Sequence, residues 1–118
     1  MNKLPLNKLK PEDLETLNDA ASLYSQYLDF FIKSEATQMV FVYKSIAVEL
    51  EYMIAGRFKV RRVPETSLLN LEVHQGFVLQ NALQHFIGST DNQLRCAKAY
   101  KLLERVNQML PVVAQTQE

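Results

Sequence analysis

The sequence has one cysteine, Cys96. An intramolecular disulfide is therefore excluded, and so is a zinc site built from several thiolates. Glycine and proline are scarce, at three and four residues, which favours long regular elements over many turns. The glycines stand alone at 56, 76 and 88, so no glycine-rich phosphate loop is present. An excess of charge of one sign is lacking too, since thirteen Lys and Arg balance thirteen Asp and Glu. Such a chain is not coated for bulk nucleic-acid binding, and it has little repulsion to oppose association. Long hydrophobic runs are absent as well. The longest uncharged stretch, 73–90, contains amides and two histidines and is too polar to span a membrane. Residues 1–6 lack the apolar core of a signal peptide, so a cytoplasmic protein is expected.

What is present is a globular composition, 47% hydrophobic and 22% charged, which excludes wholesale disorder. At 118 residues one domain with its own core is expected. The periodicity predicts four helices and no strand. The first spans 11–33, with Pro11 at its first position and Leu14, Leu17, Ala21, Tyr24, Leu28 and Ile32 on one face. The second spans 36–55 and is apolar on nearly all sides. Met39, Val42, Tyr43, Ile46 and Leu50 form its main stripe, and Phe41, Val48 and Tyr52 lie roughly opposite. A helix of that kind is expected at the centre of the fold or shared with another subunit, with Gly56 as a left-handed cap.

The third helix is predicted over 65–87, capped by Gly88, and has no Lys or Arg. The fourth is predicted over 91–110, opened by a Thr90/Gln93 capping box and stopped by Pro111. Residues 1–10 read as a loose arm with Leu4, Leu6 and Leu9 available to dock, and 111–118 as a disordered tail. The expected fold is all-α, an antiparallel four-helix bundle over 11–110. The alternative is a three-helix core with a swapped or extended helix, because 32–37 has no Gly or Pro to break a long helix.

Chemistry-bearing patterns are few. Arg57, Lys59, Arg61 and Arg62 concentrate four cations within six residues, interleaved with Phe58 and Val60. They suit a phosphate backbone, or equally a helix C-terminus and a soluble connector. Arg95, Lys98, Lys101 and Arg105 share one helical face and extend the candidate polyanion contact, provided that face lies beside the connector. His74 and His85 are three helical turns apart, about 16 Å along the axis, and cannot share a metal within one helix. With Asn81 they form a polar strip, a candidate partner surface together with Phe41, Val48 and Tyr52. Glu49 and Glu51 diverge on a helix, and Cys96 falls on an apolar stripe as an inert thiol. No catalytic residue, cofactor, metal or small-molecule substrate is expected. The expected function is a non-catalytic interaction or assembly protein that binds a protein partner or itself. The alternative is an accessory nucleic-acid-binding subunit.

Overall fold

A computed structural model of the chain describes residues 3–34, 37–58 and 64–111. In chain order the elements are β1 (Leu4–Leu9), α1 (Pro11–Ser34), α2 (Gln38–Gly56), β2 (Ser67–Leu71), α3 (Val73–Ser89) and α4 (Gln93–Met109). The protein is mostly helical, as its periodicity predicts, but it also contains a small two-stranded sheet. Among the described residues no helix is long and apolar enough to cross a membrane.

The sheet corrects the expectation of a loose arm and a strand-free chain. β1 and β2 pair antiparallel, with Leu4 opposite Leu71 and Leu6 opposite Leu69. Alternation then puts Leu4, Leu6, Leu69 and Leu71 on the buried face. Between Leu6 and Leu9 the register slips by one residue, and Lys8 takes a left-handed φ of 53°. This is a β-bulge, and it returns Leu9 to the core side. β2 also shortens the predicted third helix. Residues 67–71 follow a two-residue alternation in which Leu69 and Leu71 are buried while Leu68 and Asn70 face water. α3 starts only at Val73, where Gln75 Oε1 accepts the Glu72 amide at 2.9 Å.

The other helix ends also have local causes. Asp13 turns back to accept the Lys10 amide at 3.0 Å and so fixes the start of α1. Thr37 caps α2 through its hydroxyl, and Asn92 caps α4 by accepting the Arg95 amide at 3.1 Å. Thr90 is therefore not the cap, although its hydroxyl accepts the Asn92 amide at 3.2 Å. None of the glycines has a positive φ, so neither Gly56 nor Gly88 is a left-handed cap. Gly88 lies inside α3, and the residue capping α2 is Arg57 in right-handed helical geometry, φ −74°.

Successive helices reverse direction. α2 runs back along α1, since Lys44 reaches Ser25 and Asp29 while Tyr52 and Ala55 lie near Asn18. α3 reverses again, bonding Gln75 to Glu49 near its start and placing Asn81 beside Met39 and Val42. α4 runs back along α3, with Gln80 donating to Asn107 at 2.6 Å and Arg95 lying 5.9 Å over the Phe86 ring. α1 and α3 each touch the other three helices, whereas α2 and α4 barely meet and lie to either side. α2 is thus a flanking helix, so of the two places expected for it the centre of the fold is not the one it takes. It buries Ala47, Leu50 and Ile54, packs Val40, Tyr43, Ile46 and Met53 partly against the core, and leaves Met39, Phe41, Val42 and Tyr52 exposed.

Candidate partner-docking surface

The flanking position of α2 creates the surface. Of its nineteen residues only Lys44, Glu49 and Glu51 are charged. Two of these are drawn to neighbouring helices. Lys44 Nζ lies 3.0 Å from Asp29 Oδ2, and Glu49 Oε1 accepts from Gln75 Nε2 at 3.2 Å. The outward side is left to Phe41, Ser45, Val48 and Tyr52, which recur at steps of four, three and four. At 100° per residue they fall within about 60° of arc, pointing away from Ala47, Leu50 and Ile54. Phe41 is 54% exposed and Tyr52 71%, while Val48 is half-buried beside Asn18 of α1.

Next to this stripe is a groove of about 460 Å³ between α2 and α3. Met39, Val42, Ile46 and Phe77 give it an apolar floor, and His74, Gln80 and Asn81 supply polar edges. Met39 is 53% exposed and Val42 47%. Stripe and groove form one apolar arc around α2, interrupted by Glu49. Met39 and Val42 belong to the main apolar stripe read from the sequence, which does not tell a groove from a packed face. Their place in a helix with more apolar faces than neighbours was the available signal.

The six candidate interface residues separate into three places. Phe41, Val48 and Tyr52 form the outer stripe. His74 and Asn81 border the groove, and Asn81 also hydrogen-bonds Tyr24. His85 belongs elsewhere, with its ring centroid 4.3 Å from Tyr27 and 6.0 Å from Tyr24. That cluster continues to Phe31, which meets Tyr27 edge-on at 4.9 Å. Burial holds the Tyr24 phenol above the ordinary tyrosine range, the Asn81 hydrogen bond opposes this, and Tyr43 and Tyr27 add to it.

Five of the eight candidate cations lie among the described residues. Arg57 is exposed at the end of α2, while Lys59, Arg61 and Arg62 lie outside the described residues. The α4 cations are mostly used within the fold. Arg95 pairs with Asp19, Lys98 lies 3.6 Å from Asp13, and Arg105 donates to the backbone oxygen of Asn7. They join α4 to α1 and β1. Lys101 is exposed and makes no ion pair among the described residues. It shares an open cleft of about 410 Å³ with Lys10, Lys98 and Arg105 over Leu94 and Leu102.

Cys96 is half-buried and reduced, its sulfur 4.0 Å from the Ile87 carbonyl oxygen. Among the described residues no three His, Cys, Asp or Glu side chains gather as a metal site. Comparison with protein-family models, curated proteins and solved structures finds no match.

Proposed function

We propose that this is a non-catalytic helical interaction and assembly protein that associates with itself through the outward face of α2. The observation that carries the reading is the exposure of Phe41 and Tyr52, 54% and 71%, on a stripe free of charge. Apolar rings held in water at helical spacing, beside a second apolar groove, are what a docking helix supplies. The balanced charge of the chain, thirteen of each sign, puts no electrostatic barrier against a second copy. Mass in solution across a wide concentration range tests it. A mass rising from one chain toward two is expected, and a single-chain mass at every concentration would sink the proposal.

The nucleic-acid reading keeps one supporting observation, the cleft that gathers Lys10, Lys98, Lys101 and Arg105. It is the weaker reading, because Lys98 and Arg105 already have partners in α1 and β1. Salt-sensitive binding of an oligonucleotide that is lost on Lys101→Ala would raise it to first place.

A further inference from the structure

We infer that the occupant of the outward face of α2 is α2 of a second copy, running antiparallel across a two-fold axis level with the midpoint between Ser45 and Val48. This rests on the self-association proposed above and specifies its geometry. Residues 41, 45, 48 and 52 follow the four–three spacing that keeps a seam straight along a paired helix. In an antiparallel pair centred at that midpoint, Phe41 lies opposite the partner's Tyr52, and Ser45 lies opposite the partner's Val48. The two ends of the seam are large and aromatic, and the middle is small. The stripe is therefore complementary to itself on rotation, as an interface using the same patch on both subunits requires.

A parallel pair has no such match. It sets Ser45 against Ser45 and Val48 against Val48, leaving a thin hydroxyl layer between a phenylalanine layer and a valine layer. The antiparallel pair instead gives each serine a valine and each phenylalanine a tyrosine, whose hydroxyl sits near a helix end and reaches water. The flanking charges are compatible. Lys44, already paired with Asp29, falls on the same side as the partner's Glu51, opposite in sign, and Glu49 faces the partner's Val42, so no like charges of the two α2 helices fall opposite each other. The two exposed rings supply part of the area a stable pair needs. With roughly 200 Å² for an aromatic side chain, exposures of 54% and 71% leave roughly 250 Å² on Phe41 and Tyr52. That is close to a third of the about 800 Å² each partner contributes to a standard interface. Val42, Ser45, Val48 and Ala55 lie alongside to add to it.

Cross-linking between two single-cysteine chains tests the geometry. Both carry Cys96→Ala; one adds Ser45→Cys and the other Val48→Cys. Equal amounts are mixed and oxidised, and the covalent dimers are weighed by mass spectrometry. Antiparallel pairing brings 45 against 48, whereas 45 and its own copy are offset by about 4.5 Å along the axis. Mixed dimers are expected to exceed same-site dimers by roughly tenfold, where random pairing gives equal amounts. Same-site dimers in excess would overturn the antiparallel arrangement. So would a reversible dimer that yields neither link. Both results leave self-association standing, because the unoxidised chains still sediment as dimers. Monomeric sedimentation of the same chains would remove the seam and the proposed function together.

Discussion

Tyr52→Ala separates association from folding more cleanly than any other substitution in α2. Tyr52 is 71% exposed in the single chain. Taking roughly 200 Å² for its side chain, about 140 Å² remains in water, and full burial at roughly 25 cal/mol per Å² contributes about 3.5 kcal/mol. Alanine retains part of this and interfaces rarely cover a ring completely, so about 2 kcal/mol per ring is the working value, at the lower edge of interface hot spots. A two-fold interface contains the residue twice. The total is about 4 kcal/mol, a roughly thousandfold rise in the dimer dissociation constant. The folded single chain should lose no more than about 0.5 kcal/mol, as for other surface positions, since the ring packs little within it. Sedimentation velocity over a hundredfold concentration range measures the first quantity. Thermal unfolding at the dilute end measures the second. An unchanged dissociation constant would rule out Tyr52 as an interface residue, and so would a loss of single-chain stability as large as the loss of association.

Other expectations concern the fold. Leu6→Ala should cost about 2 to 5 kcal/mol by chemical denaturation, because Leu6 is fully buried; a loss under about 0.5 kcal/mol would return β1 to the status of an arm. Gly88→Ala should stabilise by about 0.4 to 1 kcal/mol, since its added Cβ meets nothing within 4 Å in the last turn of α3 and its φ is not positive. Gly76→Val should destabilise by about 1 to 3 kcal/mol, because a Cβ there comes 2.5 Å from Leu4 Cδ1 and 3.0 Å from Leu110 Cδ2. Equal responses at the two glycines would contradict the packing described. The Lys3 ammonium, 2.6 Å away, holds the Glu72 carboxyl below the ordinary glutamate range. A lowered folded pKa stabilises above the unfolded value and is lost as pH falls through the folded one. The stability gap between the native chain and Lys3→Met should therefore be full near neutrality and close on acidification below about pH 4.3. A gap that widens in acid would show the sign to be wrong.

The helices were legible where amphipathicity persisted over several turns. α1 follows its predicted span closely because Leu14, Leu17, Ala21, Tyr24 and Leu28 hold one face for four turns. The sheet was not legible, for two reasons. Each strand has only five or six residues, and the Leu4–Leu71 pairing joins positions far apart in the chain. Leu68 and Leu71 also fit a helical step, and only the partner strand decides for Leu69 and Leu71. Glycine misled at 56 and 88 because both helices end without a left-handed residue. Among the candidate surfaces, Phe41, Val48 and Tyr52 were recognisable from helical angles alone. The position of α2 at the flank was not, since that depends on which helices α1 and α3 gather around them. The α4 cations read as free for a polyanion because their acceptors, Asp13, Asp19 and Asn7, come from elements distant in sequence.

If two copies meet as proposed, the outward face of α2 is covered in the dimer. Hydroxyl-radical footprinting followed over increasing protein concentration reads this at individual side chains. Phe41 and Tyr52 should become protected as the mass rises from 13.6 kDa toward twice that value. Leu94 and Tyr100, 83% and 57% exposed on α4, should stay equally reactive throughout. Protection of Leu94 and Tyr100 with Phe41 and Tyr52 left reactive would contradict the claim directly.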